Sequence, residues 1–222
     1  MRTRTAIVAA LALGCLFGTA THAAAQGVLP PSTPDLITPP AGNTAFLLGH
    51  AVGTQGYVCL PTGPGADTAS WTVNPSRPEA TLFTEFFGRD IQILTHFQSP
   101  DANPNELVPK PIPFGSATWQ SSFDSSRVWA QVLNGNIIPA GPANPSCPNT
   151  GALACLLLQS IGSQAGPSGG SLLTRVTFVQ RLNTNGGSAP ADGCSVSTDV
   201  GKQTLVPYSA DYYFYKADTK YF

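Results

Sequence analysis

The sequence predicts an all-β protein: an antiparallel β-sandwich or barrel-like domain of many short strands, joined by long proline and glycine loops and held by two disulfides. Three observations carry that prediction. Apolar and polar residues alternate with the two-residue period of half-buried strands, and no stretch sustains a 3.6-residue period with capping residues. Its 222 residues include 22 glycines and 21 prolines, while 42% of residues are apolar, enough for one real core. Four cysteines beyond the N-terminal segment suit a covalently stapled domain.

The first element is a leader. Arg2 and Arg4 precede an apolar run from Ala6 to Phe17, and Ala23-Ala24-Ala25 forms a small-residue cleavage site. The run is shorter than the roughly 20 residues that span a bilayer. Residues 1–25 are therefore expected to be a signal peptide cut near Ala25/Gln26, with a secreted or periplasmic product. Cys15 follows Ala12-Leu13-Gly14, not the order of a lipid-attachment box, so a soluble form is expected. Without the two arginines the chain carries 9 Lys plus Arg against 12 Asp plus Glu, a net charge near −3. No basic stripe is present, which excludes nucleic acid as a partner.

Residues 26–43 hold prolines 30, 31, 34, 39 and 40 and read as an extended lead over the domain surface. The all-β domain is assigned to 44–222. "TAFLLGHAVGTQGYVCL" is its first strand signal, and Gly49, Gly53 and Gly56 within it suggest bulges or a hairpin. "ASWTVN", "EATLFTEFFG" and "DIQILTHFQS" follow as short strands, then the proline loop "DANPNELVPKPIPFGS". "SATWQSSFDSSRVWAQVLN" reads as a hairpin turning at Phe123-Asp124-Ser125. "GALACLLLQSIG" reads as a fully buried strand. In "SLLTRVTFVQRLNTN", Leu172, Thr174, Val176, Phe178, Gln180 and Leu182 share one face, with Arg175 and Arg181 on an outward, solvated one. The last strand, "DYYFYK", points Tyr212 and Phe214 one way and Tyr213 and Tyr215 the other.

An even set of cysteines in an exported chain reads as disulfides. Cys147 and Cys155 flank a short Pro/Gly loop and are expected to close on each other, leaving Cys59 for Cys194 across more than 130 residues. Neither a Cys-x-x-Cys pair nor clustered histidine supports a metal site, and no cofactor motif is present.

Catalytic signatures are missing: there is no G-x-S-x-G, and "GSQAG" has the wrong spacing for a nucleophile elbow. His50 and His96 are the histidines outside the leader. His96, beside Gln92 and Gln98 on the more polar face of its strand, is the candidate general base, with Asp124 or Asp211 as its acid partner. The candidate ligand-binding residues are Trp71, Trp119, Trp129, Tyr213 and Tyr215, rings that stack on sugars and other flat molecules when exposed.

"PPAGN", "SWTVNPSRPEATLF", "ILTHF", "VTFVQRLNTNGGSAPADGC" and "VPYSADYYFY" together resemble the secreted bacterial and fungal proteins grouped as domain of unknown function 3455. The resemblance runs from about Pro39 to Tyr215 and implies an exported, β-rich protein without an established biochemical role. Cys59 and Cys194 fall in its motifs; Cys147 and Cys155 sit where relatives have a shorter cysteine-free stretch, which fits an added local clip. A malate dehydrogenase label carried by some relatives finds no support, since no Gly-rich turn opens a helix and no βαβ alternation exists. The leading expectation is a non-catalytic extracytoplasmic binding or surface-associated module for a glycan or another flat, uncharged small molecule. An enzyme built on His96 with an Asp, of hydrolase or lyase type, is the alternative; a purely structural secreted protein is the third.

Overall fold

The computed structural model describes residues 27–73, 79–99 and 115–218. The leader reading of 1–25, the lipidation question at Cys15 and nearly all of the proline loop after Gln98 lie outside those residues. Among the described residues nine strands form: β1 Asn43–Pro61, β2 Ala69–Val73, β3 Glu79–Phe86, β4 Arg89–Gln98, β5 Ala117–Ser121, β6 Arg127–Ile138, β7 Cys155–Gln164, β8 Val176–Gly186 and β9 Gln203–Ala217.

All pair antiparallel in one sheet. From β3 to β9 each strand bonds to its successor, and β1 bonds to β3 on one side and to β9 on the other. The ring β1-β3-β4-β5-β6-β7-β8-β9 therefore closes on itself, and of the two predicted architectures the barrel is the one formed. Closure leaves no open edge among these eight strands. A barrel of this size has an interior that side chains fill or that holds one small ligand. β2 stands outside the ring, where it forms a hairpin with the overhanging end of β1.

β1 corrects the expectation drawn from its glycines. It is one unbroken 19-residue strand whose bulge lies between Ala45 and Leu47. Gly53 serves close approach instead: a Cβ there would lie 2.1 Å from the Glu79 carbonyl oxygen and 2.6 Å from Ala80. In β4 a bulge at Ile93 turns both Ile93 and Leu94 into the core. The predicted Phe123–Ser125 turn forms between β5 and β6. β7 is buried only through Cys155, Leu157 and Leu158, and half-exposed beyond Gln159.

Leu172 and Thr174 are not in β8 at all. Their segment turns beneath the barrel, where Leu173 is fully buried and plugs the end. Asp124 fastens that plug: its carboxylate accepts the Leu172 N–H at 2.9 Å and both the N–H and the hydroxyl of Ser126. Gly166 and Gly170 let the plug approach, since a Cβ on either would overlap Asp124.

The apolar residues divide into two layers. Ala51, Leu82, Leu94, Val128, Val179 and Phe214 are among those filling the barrel. Ile37, Ile138, Leu182, Tyr213 and Tyr215 pack outside it, beneath the proline-rich lead and the segment after β6. The lead is held by the Gln180 side-chain amide, which donates to the Ile37 carbonyl at 2.6 Å and accepts from the Tyr215 hydroxyl at 2.6 Å. Both faces of β9 are thus covered.

The disulfides are Cys59–Cys194 and Cys147–Cys155, the pairs expected from spacing. The first ties the tip of the β1–β2 hairpin to the segment between β8 and β9. The Tyr57 hydroxyl to the Gly187 carbonyl and the Trp71 indole N–H to the Gly193 carbonyl, each at 2.6 Å, fasten the same two segments.

Candidate functional site

The described residues do not fill the barrel end opposite the plug. A cavity of about 130 Å³ lies there, beside the β1–β2 hairpin and where β4 leaves and β5 enters the ring. Strand alternation aims its lining inward: Gln55 from β1, His96 and Gln98 from β4, Trp119 from β5, Arg181 from β8 and Tyr212 from β9. Val73, Ala117, Leu156 and Leu158 supply an apolar wall.

His96 and Trp119 are direct cross-strand partners, and their rings stack 4.4 Å apart at 10°. Tyr212 closes on both, 5.6 Å from each. His96 Nδ1 lies 2.9 Å from the Thr118 carbonyl oxygen, which can only accept, so Nδ1 carries the proton and Nε2 keeps its lone pair. Burial pushes the imidazole down to about 4; the Thr118 carbonyl opposes this and the Arg181 charge adds to it. The ring is neutral at neutral pH.

Two polar atoms of this wall are buried without any hydrogen-bond partner among the described residues: the Trp119 indole N–H and the Gln98 Oε1. Trp119 is 1% exposed. Buried polar groups are nearly always paired, so two orphans on residues that line one small cavity call for an explanation. Arg181 is a third such feature. Its Nε and Nη2 donate to the Ala154 carbonyl at 3.1 and 2.8 Å, and no carboxylate among the described residues forms an ion pair with it.

The other sequence candidates fall elsewhere. The carboxylate of Asp211 binds His50 Nδ1 at 2.7 Å and the Asn183 side-chain amide at 2.8 Å, an arrangement on the outer surface. Asp124 holds the plug. Neither acid partners His96, whose Nδ1 is taken by a backbone carbonyl. The aromatic set does not form an exposed platform either. Trp129, Tyr213 and Tyr215 are buried, the two tyrosines because the outer face of β9 carries a second packed layer, and Trp71 is half-buried against Gly193. Of that set only Trp119 reaches the cavity.

Arg181 corrects the sequence reading of a solvated arginine face. It shares the inner face with Val179, while Arg175 precedes β8 and lies over the Phe46 ring at 4.4 Å. Gln55, Gln98 and Tyr212 were also not singled out for this site. The signal available for Arg181 was its two-residue spacing from Val179, and for Gln98 its two-residue spacing from His96. No cluster of three or more potential metal ligands occurs among the described residues, and no described helix is long and apolar enough to cross a membrane.

A family model described as a protein of unknown function, DUF3455, matches residues 40–216. The chain belongs to that family. Comparison with curated proteins and with solved structures returns no match.

Proposed function

Starting from that membership, we propose that the chain is a non-catalytic, exported binding module whose ligand sits in the barrel-end cavity. The observation that carries the reading is the buried, unpartnered indole N–H of Trp119, a residue that lines the cavity together with Gln98, whose Oε1 is likewise buried and unpaired. Leaving a buried donor unmade costs about 1–3 kcal/mol, and a bound ligand group removes that cost. The two disulfides and the closed barrel suit a compartment without reducing power. At about 130 Å³ the space is below that of a drug-sized pocket, so the ligand is small. A glycan gains nothing from rings that are buried, and the small-molecule class is the better supported.

The enzyme reading draws less from this geometry. A base near pKa 4 is a weak proton acceptor, and no acid among the described residues orients His96. The test is a thermal-shift screen of small organic molecules, followed through the Trp119 indole N–H resonance. Trp119→Phe keeps the stacked ring and removes the donor. Binding that shifts that resonance in the unaltered protein and weakens in Trp119→Phe supports the reading. Binding that leaves both unaffected sinks it.

A further inference from the structure

Resting on the reading of the barrel-end cavity as a binding site, the geometry points to a small organic carboxylate as its ligand, with Arg181 as the anion-binding residue. Among the described residues the lining contains one permanent cation and no acid. A half-buried guanidinium is costly to desolvate without a counter-charge, and carboxylates are the usual remedy. Here none is supplied by the described residues. The charge is felt inside the barrel, since it acts on His96, Tyr57 and Tyr208.

The hydrogen-bond inventory favours the same class. Arg181 spends one Nε–H and one Nη2–H on Ala154. That leaves the outer edge formed by Nη1 and the second Nη2–H, the fork that grips a carboxylate bidentately. The Trp119 ring lines the same cavity, so its indole N–H resonance reports on an occupant. His96 does not compete, because its neutral ring offers an acceptor at Nε2, which suits a hydroxyl elsewhere on the ligand. Leu156, Leu158 and Val73 face the remainder and favour an apolar body. An engineered apolar cavity of about 150 Å³ in another protein takes up benzene, so a single ring or a short chain matches the scale here.

The test compares four probes on the oxidised protein: benzoate, benzamide, propionate and propionamide. Each pair has the same shape and differs in charge. Dissociation constants are read by calorimetry and the site by the Trp119 indole N–H resonance. We expect each carboxylate to bind at least about 10-fold more tightly than its amide, as one charge-assisted bidentate contact requires, with the indole resonance moving. Arg181→Gln is expected to erase that difference, and Arg181→Lys, which keeps charge but loses the fork, to retain only part of it. If Arg181→Gln does not fold, the carboxylate-to-amide ratio in the unaltered protein carries the test alone. Amides binding as well as carboxylates, with the indole shifted, overturns the carboxylate assignment and leaves the cavity as a site. An indole unmoved by all four probes overturns both.

Discussion

Replacing His96 by Asn tests the interior electrostatics directly. Asn places an amide N–H where Nδ1–H now meets the Thr118 carbonyl, but it does not titrate. In the folded protein burial holds His96 at about 4, whereas an exposed histidine titrates near 6.5. The folded pKa is the depressed one, so the stabilising contribution is whole above about pH 6.5. It is lost as pH falls toward 4, because the unfolded chain takes up a proton that the native ring refuses. Between pH 7.5 and 4.5 the linkage amounts to about 2.5 kcal/mol, or about 5–10 °C in Tm for a domain of this size. The assay is Tm against pH for both proteins. Asn also loses the stack on Trp119, worth about 0.5–1.5 kcal/mol, but that offset is the same at every pH. The expected result is a relative shift of about 2.5 kcal/mol in the variant's favour on acidification, enough to carry the curves across each other against that offset. Parallel curves would refute a buried neutral imidazole.

The Cys59–Cys194 bridge closes a loop of 135 residues and Cys147–Cys155 one of 8. Loop-entropy arithmetic assigns them about 5 and 2.5 kcal/mol, so the paired Cys→Ala variants should differ in that order in urea midpoints; equal losses would contradict it. Gly53→Ala should cost about 1–3 kcal/mol, because its Cβ has to push β3 from β1 where the barrel closes, and a neutral effect would show that the seam yields freely. Asp124→Ala should free the plug segment, read as faster proteolysis near Gly166–Gly170 in the native protein. Burial raises the Asp124 pKa, but hydrogen bonds from Leu172, Ser126 and Ser121 outweigh it and bring it to about 2, so the wild-type plug should loosen only as pH falls from about 4 toward 2. A cleavage pattern unchanged by the substitution would remove Asp124 from that role.

Strand alternation in the sequence marks most elements, and Tyr212 and Phe214 do face opposite to Tyr213 and Tyr215. Alternation names two faces without saying which is inner. In an isolated sheet the polar face meets water, and the reading of Arg181 as solvated follows that rule. Here both faces of β8 and β9 are packed, the inner one by the barrel and the outer one by the proline-rich lead. The rule therefore lost its basis at Arg181, Tyr213 and Tyr215. Barrel closure depends on β1 meeting β9, a pairing such as His50 with Asp211 that spans most of the chain and leaves no local mark. The disulfides were legible because a loop as short as the one from Cys147 to Cys155 leaves little choice of partner. The site was only half legible: Trp119 and His96 stood out by type, but their stacking requires the β4–β5 register, and that follows a long connection.

The two barrel ends are built to opposite rules, and the contrast argues for a ligand more strongly than the cavity does. At the plugged end, Leu173 fills the space and Asp124 takes up the backbone N–H of Leu172, so polar groups are paired before they are buried. At the open end, a donor on Trp119 and an acceptor on Gln98 are buried unpaired beside Arg181, which has no ion pair among the described residues. Apolar residues in those positions would make a more stable barrel, since each orphan costs about 1–3 kcal/mol. The long-range disulfide and the bonds from Tyr57 and Trp71 lie at this same end, on the hairpin that carries Gln55 and Val73 to the cavity. Their stabilisation is therefore placed where the unpaired polar groups weaken the fold. The proposed binding role accounts for that arrangement, because a site gains affinity when its polar groups are preorganised before the ligand arrives.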